Sequence, residues 1–177
     1  MSATRRIFRS SSTSQAEIRE LLQALIVAEL LSPSKTLWLV SPWLSDLELL
    51  DNRTGAYAAL DPQWEPRHFR LAELLGRLME LGTQVILATR PVEHSENFLR
   101  KLDDLVHSSG LQQQLTVHRR PTLHLKGLLG DDYYLSGSMN FTFSGVELNE
   151  ESVILDASPE GIAQARIAFV NDFGVAG

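Results

Sequence analysis

The chain has 177 residues, room for one domain of ordinary size and too few for two. Its 44% hydrophobic and 21% charged residues are a globular composition, which excludes collagen-like, low-complexity and wholly disordered chains. Sixteen Lys and Arg against 22 Asp and Glu leave a net charge of −6, so a generally basic, nucleic-acid-coating surface is excluded and any polyanion must be met locally.

Cysteine is absent, which removes disulfides, thiol nucleophiles and Cys-containing zinc sites together. The first residues carry Arg5, Arg6 and Arg9 but no apolar run and do not read as a secretory leader. Residues 1–14 are expected to form a flexible tail, with a phosphate-contacting arm as the other reading, before a single domain over 15–177. The apolar stretch Leu21 to Leu31 is interrupted by Gln23 and Glu29 and is too short to span a bilayer. The expectation is a soluble, cytoplasmic protein with no membrane contact.

In chain order, Ser14 and Glu17 have capping-box spacing, and Ile18, Leu21, Leu22, Leu25 and Ile26 follow at helical period to about Leu31. Thr36 to Pro42 is an apolar, β-branched and aromatic run suited to a strand buried on both faces. Between Leu44 and Arg67 several turn signals predict a long loop, a candidate lid or wall, with Trp64 pinning it to the body. Leu71, Leu74, Leu75, Leu78 and Met79 mark a second helix stopped by Gly82, and Thr83 to Thr89 a second buried strand. A third helix is expected over Ser95 to His107 and a strand over Leu115 to Arg119. Ser158, Pro159 and Glu160 start a last helix. The alternation implies an α/β fold, a mixed sheet with helices on both faces.

The segment from Leu123 to Leu155 concentrates the polar chemistry. Placed on a strand, His124 and Lys126 share one face, while Leu123, Leu125 and Leu129 pack the other. A reversal at Gly130-Asp131 or Asp131-Asp132 returns the chain through Tyr133, Tyr134 and Leu135, and Gly137 permits close approach of backbone to a ligand. Ser138 and Asn140, two apart, then offer a hydroxyl and an amide near the same spot. Lys126 suits a phosphate as a point charge, and His124 is the side chain suited to nucleophilic or acid–base work near neutral pH. Glu151, heading the apolar run SVIL, is the candidate to orient the imidazole.

His124-x-Lys126-x4-Asp131, Gly137-Ser138-x-Asn140 and Asn149-x-Glu151 together resemble the HxK/D motif of the phospholipase D superfamily, especially its small bacterial nucleases. LWLVSPWLSD and LGTQVILATR resemble early strands of that fold, so the resemblance spans nearly the whole chain. Five residues separate Asp131 from Gly137 where the common form has six. The resemblance implies an α-β-α sandwich, with His124, Lys126, Ser138, Asn140 and Glu151 catalytic and Asp131, Gly137 and Asn149 structural. It implies no metal and no other cofactor. In that family two HxK motifs face each other, one His forming a phosphohistidine and the other protonating the leaving oxygen. This chain has one, since His68, His94, His107 and His118 lack a Lys two residues on. A homodimer with its two-fold axis through the site is therefore implied.

Around the motif, Arg119 and Arg120 lie in a stretch from Leu105 to Gly130 that contains no acid, and read either as phosphate-backbone contacts or as a solvated strand edge. Arg90 either looks into the site as a third substrate contact or pairs with Glu93 or Glu96. Trp38 and Trp43 read as core. The leading functional expectation is a metal-independent phosphodiesterase acting on nucleic acid, DNA first. The alternatives are a non-catalytic phosphate-binding subunit of a phage-defence or DNA-modification assembly, partnered by a helicase or another defence subunit, and, disfavoured, a lipid phosphodiesterase.

Overall fold

The computed structural model describes residues 3–9, 16–61 and 63–175. Strand β2 (Thr36–Val40) shows how the two layers arise: Leu37 and Leu39 enter one apolar cluster, while Trp38 and Val40, on the opposite face, enter another. Helices α1 (Glu17–Leu31), α2 (Leu71–Glu80) and α3 (Glu93–Ser108) cover the first face, and α4 (Pro159–Phe173) covers part of the second through Ala165, Phe169 and Phe173. The expected mixed sheet with helices on both faces is what the chain adopts. Each fully buried Leu or Phe of these clusters contributes about 1.5–3 kcal/mol.

The remaining strands are β1 (Thr4–Arg9), β3 (Glu48–Asp51), β4 (His68–Arg70), β5 (Gln84–Thr89), β6 (Leu115–Arg119), β7 (Gly127–Leu129), β8 (Tyr134–Gly137) and β9 (Glu151–Asp156). Among the described residues, seven form one sheet in the order β1-β9-β8-β7-β2-β5-β6. β2, β5 and β6 run parallel, as crossovers through α2 and α3 require, and the strands from β7 outward to β1 alternate antiparallel. The carboxyl ends of β2, β5, β6 and β8 therefore lie at the same end of the sheet as the amino ends of β7 and β9. His124, Lys126, Ser138, Asn140, Glu151, Arg90, Arg119 and Arg120 all sit at that end.

Several expectations change. Residues 4–9, expected in a tail, form β1, an edge strand antiparallel to β9 whose Ile7 is buried against the α1 side. Only Ile7 and Phe8 of that strand are apolar, and they are adjacent, so no alternation marks it off from a tail. Ser14 of the capping box lies outside the described residues. The loop from Leu44 to Arg67 contains β3, which pairs with β4 in a two-stranded sheet; Trp64 stacks on Phe69 at 4.4 Å, the anchoring expected of it. Trp38 is buried, but Trp43 is 41% exposed.

His124 and Lys126 precede β7 rather than lying in it. The cause is topological: β6 is the sheet edge and β7 lies between β2 and β8, so residues 120–126 must cross the ends of β5 and β2. Arg120 N–H donates to the Thr89 carbonyl (2.8 Å) and Arg90 Nε to the Leu123 carbonyl (2.8 Å), fastening this crossing. Leu123 is buried beneath it, whereas Leu125, expected to pack, is 39% exposed.

Candidate active site

The segment that crosses the sheet end exposes the His124 imidazole and leaves Lys126 half-buried, its Nζ donating to the His124 carbonyl at 3.0 Å. On the neighbouring strand, β8 delivers Ser138. Its hydroxyl donates a short hydrogen bond to Glu151 Oε2 and accepts from the Ser152 N–H at 3.0 Å, while its own N–H donates to the Ser152 carbonyl at 2.9 Å. Asn149 Nδ2 reaches Glu151 Oε1 at 3.4 Å. Glu151 thus orients Ser138 and meets Asn149; the expected bond to His124 within the same chain is replaced by these two. The reason lies in strand order, because β9 neighbours β8, which carries Ser138, and is separated by it from β7.

The imidazole is met instead by Arg90, which follows β5. One guanidinium nitrogen lies 3.2 Å from Nδ1 and 3.0 Å from Nε2 of His124. Arginine only donates, so a hydrogen bond here is accepted by whichever ring nitrogen carries the lone pair, and the contact holds the ring at the surface of the site. Of the two readings of Arg90, the ion pair with Glu93 or Glu96 gives way to the one that faces the site. Trp43 lies beneath the same guanidinium, 5.9 Å from ring centroid to carbon.

Asn140 is buried, its Oδ1 3.3 Å from the Ser41 hydroxyl, which also lies 2.8 Å from the Trp43 carbonyl and accepts from the Phe141 N–H at 3.2 Å. Ser41 is a supporting residue that sequence reasoning passed over. The signal was a hydroxyl closing an apolar strand just before Pro42.

Gly137 serves a different approach from the one expected. With φ at +146°, a Cβ built there would lie 2.0 Å from the Ser152 carbonyl oxygen, so the glycine lets β9 close onto β8 rather than admitting a ligand. Asp131 works at the opposite end of the sheet. Its carboxylate accepts from the Lys35 N–H (2.9 Å) and from Arg166 (3.1 Å), pinning the β7–β8 turn to the start of β2.

Arg119 and Arg120 have partners of their own. Arg119 Nε lies 2.8 Å from Glu96, and that hydrogen bond, against a small burial effect, holds the Glu96 carboxyl below its ordinary range. Arg120 donates to the Asp172 carbonyl and covers the Phe173 ring at 4.8 Å. Phosphate contact would require both to leave these partners; an exposed ion pair is worth only about 0–1 kcal/mol, so the cost is small.

The recess lined by Lys126, Gly137, Met139 and Phe141 has a volume of about 10 Å³, too small for a phosphodiester. His124 and Ser138 are exposed on an open surface. Among the described residues no cluster of three or more His, Asp or Glu side chains is placed to hold a metal ion, and no helix is long and apolar enough to cross a membrane.

This architecture is similar to that of a phospholipase D family member, Nuc from Salmonella typhimurium, with a TM-score of 0.59 and 11% identity over 96% of this chain and 92% of that one. NucT from Helicobacter pylori superposes with a TM-score of 0.57 and 12% identity, over 98% and 99% of the two chains. The fold is that of the phospholipase D superfamily. Phosphatidylserine synthase from Haemophilus influenzae Rd KW20 shares the phospholipase D fold at a TM-score of 0.61 and 17% identity; the match covers 96% of this chain but 38% of that one. No protein-family model and no curated protein matches the sequence.

Within the phospholipase D fold, Glu151→Gln should lower turnover about 10-fold with little effect on substrate affinity. A neutral amide replaces a charged acceptor of the Ser138 hydroxyl, and hydrogen bonds to charged groups are worth roughly 1 kcal/mol more than neutral ones. Steady-state kinetics decides; an unchanged kcat would separate the Ser138–Glu151 pair from the chemistry.

Proposed function

We propose that the chain is a metal-independent phosphodiesterase acting on nucleic acid through a phosphohistidine intermediate, and that its working form is a homodimer. The observation carrying this reading is the convergence of His124, Lys126, Arg90 and the Ser138–Glu151 pair at one end of the sheet. In one step the neutral His124 ring of one copy attacks phosphorus: a P–N bond forms, the P–O bond to the leaving group breaks, and the His124 ring of the second copy donates the proton that the leaving oxygen takes up. Water then attacks the phosphohistidine, giving its proton to that second imidazole and restoring the first. Lys126, Ser138 and Asn140 carry donors for the phosphoryl oxygens, although the buried Asn140 amide acts chiefly by holding the loop. Arg90, resting against the ring, turns to the phosphate when the diester arrives. Arg119 and Arg120 lend backbone contacts once released from Glu96 and Asp172.

The exposed surface supports the dimer. Trp43, Leu125, Phe143 and Leu148 stand 41%, 39%, 60% and 67% exposed on the segments that carry or adjoin the site residues. Apolar groups around half a site suit a self-complementary contact that closes over a bound phosphate.

The test is cleavage of labelled single-stranded DNA, duplex DNA, RNA and a phospholipid diester in excess EDTA, with scattering to give the oligomeric state. Nucleic-acid cleavage by a dimer is the expected result. Cleavage of the lipid diester alone would replace the substrate class, and a monomer whose specific activity holds on dilution would remove the composite site. Absence of turnover together with tight oligonucleotide binding would favour the non-catalytic subunit of a DNA-processing or defence assembly.

A further inference from the structure

Strand β1 carries a cationic and aromatic surface that the proposed chemistry does not use. Its sequence is Thr-Arg-Arg-Ile-Phe-Arg, and no acid occurs in the chain before Glu17, in a protein whose net charge is −6. Among the described residues no carboxylate pairs with Arg5 or Arg6, both of which are exposed. Phe8 is 67% exposed, among the most exposed large apolar side chains described.

Strand alternation sorts these groups. Ile7 is buried on the α1 side, so Arg6 and Phe8 share the opposite face of the ribbon formed by β1 and β9. That face is open, since the apolar cluster under α4 draws on β2, β5, β7 and β8 but on no residue of β9 or β1. A cation and an aromatic ring two residues apart on an uncovered strand face are the elements that hold an unpaired nucleic-acid strand, the one meeting phosphates and the other stacking on a base.

Register ties the strip to the site. Phe8 is paired with Ser152, whose N–H donates to the Ser138 hydroxyl and whose carbonyl accepts from the Ser138 N–H. Two strand spacings, about 10 Å, thus separate the Phe8 and Ser138 backbones.

We propose that Arg6 and Phe8 of the edge strand form a docking strip for a single-stranded nucleic acid whose scissile phosphate lies at His124; this rests on the nucleic-acid reading given above. A duplex is disfavoured, because its bases are already stacked and present no face to Phe8. A second copy of the chain is disfavoured as the occupant, because two copies would bring their arginines together across the contact.

The experiment uses full-length protein carrying His124→Ala, so that bound substrate is not consumed, and a single-stranded DNA of about ten nucleotides, within the range one such groove holds. Adding Phe8→Ala should weaken binding about 5- to 100-fold. Arg6→Ala should lower the slope of log affinity against log salt by roughly 0.7 units, the share of one phosphate contact on a single strand. In Phe8→Trp the introduced indole should be quenched by the oligonucleotide and not by inorganic polyphosphate, which carries charge without bases. Unaltered melting temperatures would exclude unfolding as the cause.

Wild-type affinity and salt slope in both variants, while the otherwise unaltered protein cleaves the same oligonucleotide, would overturn the strip and leave the nucleic-acid reading standing. A loss of dimer in Phe8→Ala with affinity unchanged would overturn it in favour of an interface between copies. Failure of the parent protein to bind or cleave any oligonucleotide would overturn both.

Discussion

His124→Ala is expected to abolish diester cleavage, with a fall of at least about 10⁴-fold, because a composite site loses its nucleophile and its acid in one substitution. The ring is exposed and rests against Arg90, so its removal opens no core cavity and should leave the fold intact. Mixing His124→Asn protein with Lys126→Ala protein should not restore activity. In a two-fold site each mixed dimer keeps one His and one Lys, so the step that needs two imidazoles still fails. Rates are measured on a labelled oligonucleotide with circular dichroism as the folding control. Rescue in the mixture would show that one imidazole and one Lys, drawn from different copies, suffice, and the two-imidazole mechanism would fall.

Gly137→Ala should be the most damaging small substitution near the site, costing roughly 2–5 kcal/mol through a strained φ and a clash with the facing strand. The new Cβ would lie 2.0 Å from the Ser152 carbonyl oxygen and 2.9 Å from the Val153 Cα, both backbone atoms that cannot rotate away. β9 must shift, carrying Glu151 from Ser138, so activity should fall with stability. For a chain of this size the midpoint of thermal unfolding should drop by roughly 5–15 °C. Gly55 supplies the control: its φ is also positive, at +72°, but a Cβ there meets nothing within 4 Å, so Gly55→Ala should cost only about 1 kcal/mol. Equal melting temperatures for the two variants would show that β9 yields without cost.

Much of the fold was legible in the residue pattern because buried strands and amphipathic helices leave local periodicities. Thr36 to Pro42 and Thr83 to Thr89 became β2 and β5 within a residue or two, and α2 and α4 began where their apolar spacing and the Ser158 cap placed them. The identity of the site residues was legible for a different reason: His, Lys, Ser, Asn and Glu at fixed intervals are recognisable whatever the backbone between them does.

Only the tertiary structure decided how those residues meet. Whether Arg90 faced Glu93, Glu96 or His124 depended on the residue 120–126 segment crossing the end of β5, a contact 34 positions away in sequence. Glu151 suits the imidazole as a carboxylate heading an apolar strand, yet strand order puts β8 between β9 and β7 and gives the carboxylate to Ser138. β1 escaped because an edge strand of six residues with one buried apolar side chain carries almost no periodic signal, and its stability comes from backbone pairing with β9, where Arg6 meets Ile154 far along the chain and leaves no local trace. Local chemistry fixes which groups a chain has to offer; the order of strands, set by long-range pairing and burial, fixes which of them touch.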